Sequence, residues 1–167
     1  MIIVYTGNGK GKTSASVGQC VRALGQGMRV VFAQFMKRDG QAGEQIMLKR
    51  LLGENFLAGG AGFFRREEER PQHREAALRV LDWARERLPG AAMLVLDESL
   101  YALRSGLLER AELEDLLAAA REAGCHVVLS GRDAPAWLAE AADIVSRVDE
   151  VRHAWRAGKP ARKGIEF

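Results

Sequence analysis

A run of β-forming residues, Met1–Tyr5, breaks into three alternating glycines and closes on Lys12-Thr13, giving MIIVYTGNGKGKTS over residues 1–14. The pattern predicts a buried strand, a tight loop and a helix over Thr13–Leu24, which is the layout of a phosphate-binding loop. Gly7, Gly9 and Gly11 admit dihedrals that let backbone N–H groups converge on phosphate oxygens. Asn8, Lys10 and Ser14 share the stretch and are candidate nucleotide contacts with it. Lys12 is placed to reach the outer phosphates and is the candidate catalytic residue. The Thr13 hydroxyl can bind Mg²⁺ or Mn²⁺, and the helix N-terminus adds the positive end of its dipole. The spacing departs from the usual G-x-x-x-x-G-K-[ST], since Thr6 stands at the first glycine position and Gly7 comes one residue late. A dinucleotide fingerprint is excluded, because neither G-x-G here has a third glycine three residues on.

The 167 residues are 47% hydrophobic and 28% charged, which predicts one domain over 1–167 with a sizeable core. A net charge of +3, with Lys and Arg scattered along the chain, gives no footprint for nucleic acid. Cys20 and Cys125 fall inside apolar patterns as small core residues, and two cysteines build neither a disulfide framework nor a zinc knuckle. No apolar run approaches membrane-spanning length, and the chain opens directly in its first strand without a signal peptide. The expected location is the cytoplasm.

Along the chain, Val17, Cys20, Val21 and Leu24 form the predicted buried stripe of the first helix, with Gly18 expected to bring it close to the sheet. Met28–Phe35 reads as a second buried strand, so a right-handed parallel crossover is expected. Gln34 and Lys37 then fall at the carboxyl edge where open α/β sheets bind ligands. Gln41–Gly53 reads as a loop and short helix with Ile46, Leu48, Leu51 and Leu52 in the core. Asn55–Arg66 combines a short strand with a glycine-rich loop and two aromatics, Phe63 and Phe64. These either close the core, as composition favours, or sit on a loop over a ligand. Glu67–Leu88 is a long charged helix with Pro71 near its start and a seam of Ala77, Leu81, Ala84 and Leu88.

Ala91–Leu96 is a further buried strand that delivers Asp97-Glu98, the acidic strand end that holds the metal of a phosphate-loop site. Glu109–Ala123 is amphipathic through Leu113, Leu116, Leu117 and Ala120. Cys125–Ser130 is a strand in which His126 is expected as a packed core residue, and its end presents Gly131, Arg132 and Asp133 on the ligand side. A short helix (Pro135–Ala142), a last strand (Ile144–Val148) and a basic tail (Arg156–Phe167) complete the chain. The architecture expected is an α/β phosphate-loop sandwich, RecA-like, with a mostly parallel sheet. Physical chemistry alone reaches a Mg²⁺–nucleoside triphosphate binder. A small-molecule kinase or ATPase, with Glu98 and Arg132 orienting the nucleophile and neutralising charge, remains open, as does a nucleotide-switched binding protein.

The residues YTGNGKGKTS (5–14), Gln34-Phe35 with Lys37, Gly43-Glu44, Gly62-Phe63, LVLDES with Leu100-Tyr101, SGRDAP (130–135) and the ending AGKPARKGIEF occur in that order over nearly the whole chain. Together they resemble the P-loop-type ATP:corrinoid adenosyltransferases, the CobA/CobO/BtuR family. The resemblance implies transfer of the 5′-deoxyadenosyl group of ATP to the Co(I) centre of cobalamin or a precursor corrinoid, with triphosphate leaving. It further implies Thr13 and Glu98 as metal ligands supported by Asp97, and a nucleotide bound with its phosphate order reversed relative to kinases. It places Phe63, with Phe64, in a corrinoid pocket. A homodimer and an electron-donating reductase such as a flavoprotein are implied partners. Two departures stand out. Arg65 follows Phe64 where the family commonly has a Trp, and Met1 opens the strand where members often carry an extension, so a more exposed nucleotide site is expected.

Overall fold

The computed structural model describes residues 1–167. Six strands form one sheet: β1 (Ile2–Thr6), β2 (Val30–Gln34), β3 (Phe56–Ala58), β4 (Met93–Asp97), β5 (His126–Ser130) and β6 (Ile144–Arg147). The spatial order is β3-β2-β4-β5-β1-β6, and every neighbouring pair is parallel rather than most of them. Parallel strands need crossovers, and these are supplied by α1 (Lys12–Gly25), α2 (Gly43–Leu52), α3 (Arg70–Glu86), α4 (Ser99–Arg104), α5 (Arg110–Glu122) and α6 (Ala136–Ala141).

The strands are apolar on both faces, and alternation divides their side chains between two cores. Val4, Val31, Ala33, Leu94, Leu96, Val127 and Leu129 pack with Ala77, Leu81, Ala84 and Leu88 of the long helix region and with Leu113, Leu116, Leu117 and Ala120 of α5. Ile3, Phe32, Val95 and Val128 turn the other way, onto Cys20 and Ala23 of α1 and Leu48 and Leu52 of α2. The result is a three-layer α/β sandwich with the sheet buried between helices. Both cysteine thiols lie in these cores, and burial pushes each up to about 11. No helix is long and apolar enough to cross a membrane.

Several expected core positions lie elsewhere. Val21 is half exposed, because Ala23 takes the inward position beside Cys20, and a Cβ on Gly18 would meet nothing within 4 Å, so that glycine does not set the helix against the sheet. Ile46 and Leu51 are also half exposed. Of the apolar residues of α2, only Leu48 and Leu52, one turn apart, are buried against the sheet. His126 is partly buried at the head of β5, where its Nδ1 lies 3.0 Å from the Met1 ammonium instead of packing in a core.

Candidate nucleotide site

The chain leaves β1 at Thr6 and turns through residues 7–11 into α1. Two of the loop glycines are required by crowding. A Cβ on Gly7, already at φ +111°, would stand 2.4 Å from the Val148 carbonyl oxygen, and one on Gly9 would stand 2.7 Å from that of Asp149. The Gly9 N–H donates to the Val148 carbonyl at 2.8 Å, so this amide braces the loop rather than pointing at phosphate. Lys12 is almost completely buried and its Nζ donates to the Gly9 carbonyl at 2.7 Å. Burial, with Arg132 nearby, holds this ammonium below the usual lysine value, against the opposing pull of Glu98 and Asp97.

Parallel register brings Asp97, at the carboxyl end of β4, level with Gln34 on β2. Its carboxylate is fully buried and saturated with donors: Ser130 Oγ at 2.6 Å, Gln34 Nε2 at 2.9 Å, Thr13 Oγ1 at 3.1 Å, and the Lys37 ammonium at 3.4 Å. Glu98 sits beside it in a left-handed conformation, φ 59°, a strained backbone for a side-chain-bearing residue. The Glu98 N–H donates to Ser130 Oγ at 3.0 Å, but its carboxylate has no hydrogen-bond partner. Burial, and then the charge of Asp97, push the Glu98 carboxyl above the ordinary value.

The two acids are therefore not equivalent. Asp97 is a buried acceptor that fixes Thr13, whereas Glu98 offers open oxygens in the same corner as Lys12. No three His, Cys, Asp or Glu side chains gather into a metal cage. Such a donor set fits Mg²⁺, which takes one or two protein oxygens and completes its shell with phosphates and water.

Of the other expected residues, Asn8, Ser14 and Arg132 are exposed, and Arg132 lies close enough to act on both Lys12 and Glu98. Lys10 is turned to the tail, its Nζ donating to the Ile165 carbonyl at 2.5 Å. Sequence reasoning missed the segment that follows β6. Asn8 forms one wall of an open cleft of about 770 Å³ whose other walls include Asp149, Arg152, His153 and Arg156. The close approach of Val148 and Asp149 to Gly7 and Gly9 forms this cleft, and no local motif in residues 148–157 announces it. Gln45 was also missed; its Nε2 donates to Gln34 Oε1 at 2.9 Å and so orients the amide that grips Asp97.

The aromatic pair separates. Phe63 is 72% exposed. Phe64 packs on the core with its ring edge-on to His73 at 5.4 Å and Arg70 over it at 4.9 Å. Composition had favoured a core role for both, but only Phe64 takes one. Arg65 lies 5.9 Å from the Phe63 ring.

The family model described as ATP:corrinoid adenosyltransferase BtuR/CobO/CobP matches residues 1–167. The chain belongs to this family. Its relatives include the corrinoid adenosyltransferase of Pseudomonas aeruginosa, 39% identical over all of this chain and 83% of that protein. The corrinoid adenosyltransferase of a Sinorhizobium species is 33% identical over all of this chain and 80% of that one. Corrinoid adenosyltransferase CobA of Salmonella typhimurium is 35% identical over all of this chain and 85% of that protein. The ordered motifs of the sequence and the assembled phosphate loop thus meet in one family.

Proposed function

We propose that this chain transfers the 5′-deoxyadenosyl group of ATP to the Co(I) centre of cobalamin or a precursor corrinoid and releases triphosphate. The observation that carries the reading is the convergence of Lys12, Thr13, Asp97 and Glu98 at one sheet edge, in a chain that matches the adenosyltransferase family from end to end. The cobalt electron pair attacks the ribose 5′ carbon, and the bond from that carbon to the triphosphate oxygen breaks. A carbon centre is attacked, so no general base is required.

The protein's task is to stabilise a highly charged leaving group. Lys12 and the amides at the start of α1 supply fixed positive charge, with Arg132 at the margin. Asn8, Lys10 and Ser14 line the approach; Lys10 must leave the Ile165 carbonyl to contact phosphate. Thr13 and Glu98 would hold Mg²⁺, with Asp97 orienting Thr13, and the bound ion would add Lewis-acid stabilisation of the triphosphate. Phe63, exposed on its loop, would meet the corrinoid, and Phe64 packs on the core beneath it. Residues 1–167 act as one nucleotide-binding unit, in the cytoplasm, as a homodimer supplied with electrons by a reductase.

The test is an anaerobic assay with ATP, Mg²⁺ and chemically reduced Co(I) cobalamin. A light-sensitive alkylcobalamin spectrum with one triphosphate per turnover is expected. ADP as the product, with indifference to corrinoid, would assign a kinase or ATPase instead.

A further inference from the structure

The acidic corner of the site already contains a cation with no role in the transfer described above. Lys37 follows the end of β2, and its ammonium lies 2.8 Å from Glu44 Oε1, 3.2 Å from Thr13 Oγ1 and 3.4 Å from Asp97 Oδ2. Three quarters of its side chain is buried. Its contacts are unequal. Glu44, in the first turn of α2, is the closest acceptor, whereas Thr13 and Asp97 are held more loosely and are the groups assigned to the metal corner.

We propose that Lys37 is a positioning residue that competes with the divalent ion for the Thr13 hydroxyl, which the Asp97 carboxylate orients. Glu44 is the acceptor that draws the ammonium aside, so the Lys37–Glu44 pair sets how tightly the site takes its metal. This rests on the reading that Thr13 and Glu98 hold a metal–triphosphate group, with Asp97 orienting Thr13. Two cations on one hydroxyl oxygen repel, so the ammonium must yield its weaker contacts as the ion arrives. The geometry lets it do so without losing its partner, because its shortest contact, at 2.8 Å, is to Glu44, which is not one of the residues that would hold the metal. Gln34 is suited to hold Asp97 in place meanwhile, since its Nε2 donates to Asp97 at 2.9 Å and lies 3.4 Å from Glu44 Oε1.

The two members of the pair therefore act in opposite directions on metal affinity, which neither a structural pin nor a phosphate-contacting lysine would do. The probe is Mn²⁺ with inorganic triphosphate, read by electron paramagnetic resonance on the whole chain, with thermal unfolding measured in parallel. Lys37→Met is expected to tighten Mn²⁺ binding about tenfold by removing a competing charge. Glu44→Gln is expected to weaken it several-fold by leaving the ammonium to Thr13 and Asp97. Loosening in Lys37→Met, or changes of the same sign in both variants, overturns the proposal. If Lys37→Met does not fold, Glu44→Gln alone decides, because unchanged or tighter binding there is equally fatal. Wild-type protein that binds no Mn²⁺–triphosphate would instead overturn the nucleotide-site reading beneath it. Wild-type binding without the opposed shifts would overturn only the role of Lys37.

Discussion

Two glycine-rich loops rise from this sheet, and they are built for different ends. The loop of residues 7–11 is pressed between β1, α1 and the segment after β6, and it delivers the buried Lys12 at the start of α1. The loop of residues 59–66 is pinned at its base and along its backbone, where Arg38 Nε donates to the Ala61 carbonyl at 2.7 Å, but not at its tip. A Cβ on Gly60 would lie 1.8 Å from the Phe35 carbonyl oxygen, and Phe64 is tucked under the loop, yet Phe63 stands in the open. The first loop holds charges still, which is what stabilising a leaving group demands. The second fixes its root and leaves an apolar tip exposed, which suits contact with a large flat substrate.

The sharpest way to break this contrast is Lys12→Ala. The variant should keep its fold and lose about 3–4 kcal/mol of transition-state stabilisation, a fall of roughly 10²–10³ in turnover, by analogy with a lost oxyanion donor. Normal turnover measured by triphosphate release would remove the phosphate loop from the chemistry. Gly60→Ala attacks the other loop at its root. With backbone at 1.8 Å from the new carbon, the end of β2 must shift, and a loss of about 3 kcal/mol in denaturant unfolding is expected. A neutral result would mean that the base of the second loop is as free as its tip. Phe64→Ala should cost about 2 kcal/mol, less than for a fully buried ring because Phe64 is only partly covered.

A smaller effect tests the support beneath Phe64. Arg74 of α3, the helix that also carries His73 and Arg70, donates to Glu112 of α5 at 2.7 Å and to the Leu107 carbonyl at 3.0 Å. The Arg74 hydrogen bonds hold the Glu112 carboxyl below its ordinary value of 4.5. A depressed carboxylate contributes stability above that ordinary value and loses it as the pH falls through the folded one. Glu112→Gln should therefore be about 1 kcal/mol less stable than wild type at neutral pH, with the gap closing below about pH 4. A gap that is constant with pH would show that the pair contributes through shape alone.

Much of this was legible in the sequence because it is periodic or local. The strands, the long α3 seam of Ala77, Leu81 and Ala84, and the acidic end at Asp97-Glu98 follow from apolar patterning, and the phosphate loop from its glycines and Lys12-Thr13. What failed depends on neighbours distant in sequence. Val21, Ile46 and Leu51 are apolar and helical but face outward, since the angle at which a short helix meets the sheet decides which two positions touch it. The cleft beside Asn8 forms because residues 148–149 cross the loop, a contact over some 140 residues that no spacing rule encodes. The unequal roles of Asp97 and Glu98 likewise need the positions of Ser130, Gln34 and Lys37, which only the sheet order brings together.

Phe63→Ala is the gentlest change to the fold and the most informative about the second loop. An exposed side chain whose only stacking partner is Arg65, at 5.9 Å, should leave stability within about 0.5 kcal/mol of wild type. Its effect should appear in the reaction, and selectively. Apolar surface at the corrinoid can exclude a lower axial ligand and make Co(II) easier to reduce, a step that chemically generated Co(I) bypasses. With Co(II) corrinoid under a weak reductant, a loss of about tenfold is expected, equivalent to roughly 1.4 kcal/mol. With Co(I) supplied directly the loss should be much smaller. Equal losses would make Phe63 a general contact, and the distinction between a loop that holds charge and a loop that shapes the metal's coordination would collapse into a single role of binding.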